Sequence, residues 1–384
     1  MLDALDFVIY LMAIPTLQQV FGFATDTAGL LATVALFTSA VGGIFFGWVA
    51  DRIGRRRALT LTILVYSFAS LGSATATSLA ALMAWRALLG IGMGGEWSAG
   101  AALVAETWPD EHRGKAIGIM QSGWALGYIL AAGLAALLLP TLGWRWLFAA
   151  GVLPALLTLW IRRHVREPAV WTARKQTAGL RLLLTPALRG RTLVAVAMSA
   201  AVMFAYWGLF TWVPSFLASP IEQGGAGLGL VRSAAFIVPT QLGAFAGYLS
   251  FGFVSDRVGR RPAFVAFLVA AAVLVPLYGL VARSPVLLLA LGPLLGFAGH
   301  GYFSLFGAQL AELFPTSIRA TAQGLVYNSG RAISALAPFV IGTLAKTRGI
   351  GSALGLTSAF FVLGAVLVLF LPETRGRSLD DTPG

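Results

Sequence analysis

Gly47-Trp48-Val49-Ala50-Asp51-Arg52-Ile53-Gly54-Arg55-Arg56-Arg57 sets one acid, four arginines and two glycines into a chain that is otherwise 58% hydrophobic and only 11% charged. Such a cluster is too costly to desolvate in an apolar interior, so it reads as a loop joining two apolar segments. It recurs as Gly252-Phe253-Val254-Ser255-Asp256-Arg257-Val258-Gly259-Arg260-Arg261-Pro262, with the Asp, Arg, Gly and Arg pair displaced by 205 residues. At a displacement of 206, Gly90 answers to Gly296, Gly95 to Gly301, Glu106 to Glu312, Pro109 to Pro315, Arg113 to Arg319, Gly118 to Gly324 and Glu167 to Glu373. The chain is two copies of one unit.

Between the loops the sequence is too apolar to cover a soluble globule of 384 residues, with a mean hydropathy of +0.83. Apolar stretches of roughly 20 residues, enough to cross about 30 Å of hydrocarbon, fall near 4–23, 28–50, 58–78, 80–105, 114–139, 144–161, 191–218, 230–254, 263–282, 285–310, 320–345 and 350–371. The spacing predicts an all-α integral membrane protein with twelve transmembrane helices. They divide into a six-helix bundle over 1–161, a basic linker over 162–189, a second six-helix bundle over 190–372 and a tail over 373–384. Two such halves in the same topology imply parallel repeats with a solute path between them near the membrane midplane. Within the linker, Glu167-Pro168 should end the sixth helix, and Arg181-Leu182-Leu183-Leu184 could lie on the membrane surface. Clustered glycines at Gly90, Gly92, Gly94, Gly95, Gly123, Gly127 and Gly133 are read as close helix packing.

The net charge of +12 is distributed unevenly. Alternate loops on one side carry Arg52, Arg55, Arg56, Arg57, Arg113, Lys115, the arginines and Lys175 of the linker, Arg191, Arg257, Arg260, Arg261, Arg319, Arg375 and Arg377, against only Arg145, Arg232, Arg283, Lys346 and Arg348 on the other. This is the positive-inside pattern; it predicts a plasma (inner) membrane of bacterial type with both termini cytoplasmic, and the charge needs no nucleic-acid partner. Met1 leads directly into Asp3 and Asp6, not into a basic n-region, so the first span and not a cleaved signal peptide is expected to direct insertion. With no cysteine, no Gly-Lys-Ser/Thr loop, no His-Glu-x-x-His and only three histidines, the chain offers neither a thiolate nor a metal or nucleotide site, and an enzyme is not expected. No metal and no cofactor is expected, the proton gradient being the driving force.

The paired G-x-x-x-D-R-x-G-R-R loops, Arg86-x-x-x-Gly90-x-Gly92-x-Gly94 and Pro372-Glu373-Thr374 together resemble the major facilitator superfamily of secondary transporters over essentially the whole chain. The resemblance implies two pseudo-symmetric six-helix bundles, alternating access and a monomer in the lipid bilayer. A narrower likeness, to proton symporters of organic acids of the sialate/lactate and metabolite groups, rests on several further stretches. These are Leu2-Asp3-Ala4-Leu5-Asp6-Phe7, Gly92-Met93-Gly94-Gly95-Glu96-Trp97, Glu106-Thr107-Trp108-Pro109, Phe314-Pro315-Thr316 with Arg319, and Tyr327-Asn328-Ser329-Gly330-Arg331. It implies a small organic anion and protons as the transported partners. Members usually carry a polar tail and more apolar residues ahead of the paired acids. Here two residues precede Asp3, so either the start is misassigned or the first helix is short at its cytoplasmic end.

An ionisable group inside a span costs roughly 2.5–3.5 kcal/mol, so each survivor calls for a reason. Arg86 and Glu96 lie about 80° apart around the fourth helix and can both face the bundle interior; a proton relay and a helix-holding ion pair both fit, and Asp3 and Asp6 are further acids for proton coupling. Arg331, beside Tyr327 and Asn328 and with no acid near it in sequence, matches a substrate carboxylate or an acid from another helix. His300 could relay a proton or be a neutral core residue. Gln121 and Gln241 suit solute hydroxyls or interhelical bonds, and Tyr206, Trp207, Phe210 and Trp212 could wall a cavity or simply pack. Asp51, Arg52, Arg55, Asp256, Arg257 and Arg260 are expected to form gates, each carboxylate meeting a helix N-terminus of the opposite half when the cytoplasmic side is closed. The competing readings are proton-linked sugar import, export of hydrophobic compounds and a receptor that does not transport. Arg331 argues against the exporter, and retention of Arg86, Glu96 and both loops against the receptor.

Overall fold

The computed structural model describes residues 2–108, 110–165, 183, 185–315 and 319–375. The amphipathic segment expected near Arg181 and most of the linker lie outside them. The N-terminal half comprises α1 (Leu2–Phe21), α2 (Thr25–Ile53), α3 (Arg55–Ala74), α4 (Leu79–Thr107), α5 (Asp110–Thr141), α6 (Trp144–Ala150) and α7 (Pro154–His164). The C-terminal half comprises α8 (Arg189–Phe210), α9 (Val213–Ala218), α10 (Gly229–Val258), α11 (Arg260–Leu280), α12 (Pro285–Gly301), α13 (Phe303–Glu312), α14 (Arg319–Ser334), α15 (Ala337–Arg348) and α16 (Ile350–Leu369). Among the described residues sixteen α-helices make twelve spans, because the sixth, seventh, tenth and eleventh are each built from two pieces.

Three of the four breaks follow from proline. Pro154, Pro214 and Pro338 stand in the first turn of α7, α9 and α15. There the missing N–H is harmless, whereas a proline ring would clash with a continuous preceding helix. The break at Tyr302 between α12 and α13 has no proline. Broken helices free backbone groups inside the membrane, and these find partners: the Pro338 carbonyl accepts from Trp212 Nε1 at 3.0 Å, and the Phe210 carbonyl accepts from the Tyr128 hydroxyl at 2.9 Å.

The repeat in sequence is a repeat in packing. A Cβ on Gly90 would collide with the Ala35 carbonyl, and one on Gly296 with the Thr240 carbonyl, so α4 meets α2 as α12 meets α10. Close backbone approach of this kind replaces the hydrophobic drive that lipid cannot give. Gly133, by contrast, borders open space. Ser78 caps α4 by accepting from the Ala81 N–H, and Ser284, 206 positions on, caps α12 by accepting from the Leu287 N–H. Gly54 and Gly259 end α2 and α10 at φ 100° and 106°, a conformation open to residues without a Cβ, which explains why each basic loop needs its second glycine. On α2 the outer stripe Phe37, Val41, Ile44, Phe45 and Trp48 is exposed, as the lipid-facing side of a membrane helix must be.

The halves touch through α2 with α15 and α5 with α10. At the end opposite the basic loops, Gly29 abuts the backbone of Pro338 and Phe339, and Lys346 Nζ pairs with Asp26 Oδ2 at 2.9 Å, joining the two halves.

Candidate functional site: a charged aromatic cavity between the halves

A cavity of about 280 Å³ lies between the bundles. One wall comes from the N-terminal half: Asp3 near the start of α1, Glu96 and Trp97 of α4, and Met120, Gln121 and Trp124 of α5. The other comes from Tyr206 and Trp207 of α8, Tyr248 of α10, Phe303 of α13, and Tyr327 and Arg331 of α14. Leu59, Ile63, Leu157 and Ile161 continue it toward the basic-loop end. Every contributor from the C-terminal half except Tyr248 sits within about two turns of a helix break, so the interruptions shape the wall.

Charge is divided between the walls. Asp3 and Glu96 stand on one side and Arg331 on the other. Arg331 is 4% exposed, makes no ion pair among the described residues, and keeps Nε buried without a hydrogen-bond partner. Its guanidinium therefore presents unmet donors to a cavity, the condition under which a planar carboxylate binds best. Glu96 has one buried carboxylate oxygen, Oε2, without a partner. Across the middle, Trp97 and Tyr327 stack with ring centroids 4.1 Å apart and planes 4° from parallel, and Trp97 Nε1 donates to Gln121 Oε1 at 3.2 Å.

Of the residues expected at the site, Asp3, Glu96, Arg331, Tyr327, Gln121, Tyr206 and Trp207 line the cavity; the others do not. Arg86 does not pair with Glu96. It is wholly buried on the inner side of α4, with Nη1 donating to the Asp6 carbonyl at 3.5 Å and its guanidinium 4.5 Å from the Tyr10 ring and 5.5 Å from Phe7. Asp6 is 1% exposed and interacts electrostatically with Arg86, while Gly151, at the break of the sixth span, is a glycine because any Cβ would strike Asp6 and Ser70. Arg86 and Asp6 thus lie close together inside one bundle without forming an ion pair among the described residues: the guanidinium meets the Asp6 carbonyl, and both Asp6 carboxylate oxygens are buried without a hydrogen-bond partner.

His300 is likewise behind the wall. Its Nδ1 lies 3.1 Å from the Gly296 carbonyl, which requires a proton there, and its ring is boxed by Tyr206, Phe210 and Tyr248. Gln241 is buried in α10 outside the cavity, and Asn328 Nδ2 donates to the Gly324 carbonyl of its own helix at 2.9 Å. Trp212 serves the backbone at Pro338 and walls nothing. The aromatic cavity residues not singled out from the sequence are Trp97, Trp124, Tyr248 and Phe303. Trp97 and Phe303 are 206 residues apart, so the repeat that located the loops also relates these two.

The basic loops are arranged within each half. Asp256, well exposed, pairs with Arg260, whose Nη2 also reaches Glu312 Oε1 at 3.4 Å; Arg257 is exposed. Glu373 closes the loop by accepting from the backbone N–H groups of Arg260 at 2.9 Å and Arg261 at 3.0 Å. Burial raises its pKa, but the N–H donors of Arg375, Arg260, Arg261 and Thr374 together hold it below the usual carboxylate value. No contact of Asp256 with the N-terminal half occurs in this conformation among the described residues. In the first repeat Arg52 lies 3.8 Å over the Trp48 ring and Arg55 is buried, while the Asp51 side chain is outside the described residues.

The chain matches the sequence profile described as Major Facilitator Superfamily over residues 1–250 and again over 225–384. It is 31% identical to the cis,cis-muconate transport protein of Acinetobacter baylyi, over 98% of this chain and 92% of that one. It is 30% identical to the sialic acid transporter NanX of Escherichia coli, over 96% and 90%. Among solved structures, the xylose transporter XylE of E. coli in a partially occluded inward-open conformation superposes with a TM-score of 0.81 at 19% identity, covering 98% of this chain and 96% of that one.

Proposed function

The chain belongs to the major facilitator superfamily and is a membrane transporter, not an enzyme, and we propose that it carries a small organic anion together with protons by alternating access. The observation that carries this reading is Arg331, a buried guanidinium without an ion-pair partner on the wall of the central cavity. A neutral sugar can accept hydrogen bonds from such a group but leaves its charge uncompensated, whereas a carboxylate satisfies its fork with two parallel charge-assisted hydrogen bonds. The relatives named for muconate and sialic acid handle compounds with carboxylates, which agrees with this choice.

The opposite wall supplies the coupling. An anion entering beside ionised Asp3 and Glu96 meets like charge in a poorly screened space, so a proton on one of them favours binding, and the bound anion favours the proton. Protons and substrate then enter and leave together. If the basic loops are cytoplasmic, as the charge asymmetry implies, the cavity in this conformation extends toward the cytoplasm and the Asp26–Lys346 end is the closed, external one. Reopening there requires that ion pair and the α2–α15 contact to separate.

The test is uptake into proteoliposomes under an imposed pH gradient, with labelled monocarboxylates and D-xylose offered separately. Carboxylate uptake that acidifies the lumen and stops with a protonophore is the expected result. Uptake that follows a sodium gradient, or that selects xylose over every carboxylate, overturns the reading.

A further inference from the structure

The Trp97–Tyr327 stack spans the cavity from one wall to the other, and it joins α4 of one bundle to α14 of the other. At 4.1 Å nothing fits between the rings, since two aromatic faces need about 3.5–4 Å for contact with each other alone. Yet both rings line the cavity, and Arg331 lies four residues after Tyr327 on the same helix. Four residues of helix place the Arg331 Cα about 6 Å along the axis from that of Tyr327 and on the same face. A molecule whose carboxylate is held by Arg331 is therefore within reach of the two rings.

Resting on the carboxylate reading above, we propose that Trp97 and Tyr327 form a clasp that a flat, conjugated carboxylic acid opens by exchanging their ring–ring contact for ring–substrate–ring contacts. Three observations converge on flatness. The two planes are within 4° of parallel, so the slot that opens is a plane-sided one. Trp97 is pinned in that attitude by its bond to Gln121, so the slot keeps its orientation on the N-terminal side when the clasp parts. Trp124, Trp207 and Phe303 line the same cavity and add mainly ring faces and edges, with only indole N–H groups, the unpartnered Trp124 Nε1 among them, to meet the many hydroxyls of a sugar acid. A saturated ring of equal size, puckered and thicker, separates the two planes further and leaves gaps that forfeit contact. Because the clasp bridges the bundles, opening it also removes a link between them at the point where they must rock.

The experiment compares flat and saturated partners of the same charge and size: benzoate against cyclohexanecarboxylate, and sorbate against hexanoate. Binding is measured on purified, monodisperse wild-type protein and on Trp97→Leu, Tyr327→Leu and the milder Trp97→Phe. The wild type is expected to favour each flat acid by about tenfold or more, the range of aromatic stacking on a ring. Both leucine variants should bring that ratio near one without abolishing carboxylate binding, and Trp97→Phe should keep most of it. Equal affinity for flat and saturated acids in the wild type overturns the clasp while leaving the carboxylate reading intact. A flat-acid preference that survives in both Trp97→Leu and Tyr327→Leu also overturns it. Failure of all four acids to bind, in protein that binds D-xylose, instead overturns the reading on which the clasp rests. Should a leucine variant fail to fold, the Trp97→Phe and wild-type ratios still decide, since a ratio of one in the wild type is sufficient to reject it.

Discussion

Within the N-terminal bundle the charged or imidazole groups of the membrane interior are the buried Asp3, Asp6 and Arg86 and the half-buried Glu96; in the C-terminal bundle they are the buried Arg331 and His300, with no buried carboxylate among the described residues. The backbone plans nonetheless correspond, down to the Gly90 and Gly296 crossings and the Ser78 and Ser284 caps. Positions on the cavity correspond as well: Trp97 with Phe303 and Gln121 with Tyr327, each 206 residues apart. What differs is the side chain. Glu96 corresponds to Tyr302, and Arg331 to Ala125, so acid and base occupy sites where the other copy is uncharged. Duplication fixes where the cavity is, and divergence at paired positions decides its chemistry. An acidic wall then faces a cationic one across the cavity.

The sharpest way to break this division is to remove the cation. Arg331→Gln should weaken carboxylate binding by about 1.5–3 kcal/mol, the range for a hydrogen bond to a charged group, or roughly 10- to 150-fold. Arg331→Lys should fall between, because it keeps charge and loses the planar fork. Equilibrium binding on folded, monodisperse protein measures this directly. Normal affinity in Arg331→Gln would mean the C-terminal wall does not hold the anion.

On the other wall, Glu96→Gln should leave binding and exchange of substrate largely intact while abolishing accumulation. One proton per anion gives about a tenfold gradient of substrate per pH unit, equivalent to about 1.4 kcal/mol, and the variant should lose that factor. Counterflow compared with uptake driven by the pH gradient separates the two activities. Arg86→Gln offers a contrast: its guanidinium lies behind the wall, against the Asp6 carbonyl and the Tyr10 and Phe7 rings, so loss of folded protein is expected, not selective uncoupling. Selective uncoupling in Arg86→Gln with unchanged Glu96→Gln would exchange their roles.

The sequence made the scaffold legible because membrane insertion writes it in strong signals: apolar length, charge asymmetry and a displaced repeat. It reached Glu96, Arg331, Tyr327 and Gln121 for a related reason, since a polar or charged residue in a span is conspicuous. Asp6, Arg86 and His300 were equally conspicuous but lie behind the wall, and only the facing of α1, α4 and α12 distinguishes them. Trp97 and Phe303 escaped because aromatic residues are common in spans and their register carries no polarity. Glu373 illustrates the remaining gap. Its motif was visible, but its partners, the amides of Arg260 and Arg261, lie more than a hundred residues away in sequence.

That Glu373 contact tests whether the two halves also differ at their basic ends, since its counterpart Glu167 lies outside the described residues. Glu373→Gln should weaken the start of α11 by about 0.5–2 kcal/mol, the value of a helix cap, read as faster amide hydrogen exchange at Arg260 and Arg261. The pH dependence has a definite sign. The carboxyl is held below its ordinary value of 4.5, so its stabilising effect is complete above that pH and is lost as pH falls through the lower folded value. The wild type should therefore approach the Glu373→Gln exchange rates under acid conditions, and an unchanged difference would remove Glu373 from the latch.

The smallest expected effect probes the same division of sign at the opposite end. Asp26 belongs to the N-terminal half and Lys346 to the C-terminal half, so this pair too sets an acid against a base across the interface. Both side chains are partly exposed, at 28% for Asp26 and 46% for Lys346, so solvent and salt screen them and the pair is worth about 0.2–1 kcal/mol. That energy exists only while this end is closed. Asp26→Asn or Lys346→Gln should each shift the conformational balance away from the closed state by no more than about fivefold, the factor matching 1 kcal/mol. Spin-label distances between the α1–α2 and α15–α16 loops would report the shift, and it should shrink in high salt. The exchange Asp26→Lys with Lys346→Asp should restore the wild-type distribution, because only the pairing and not the order of signs matters at a surface. If it does not, while each single change has its full effect, then the sign order itself matters at this end as it does in the cavity, through the field of the acids in one bundle and Arg331 in the other.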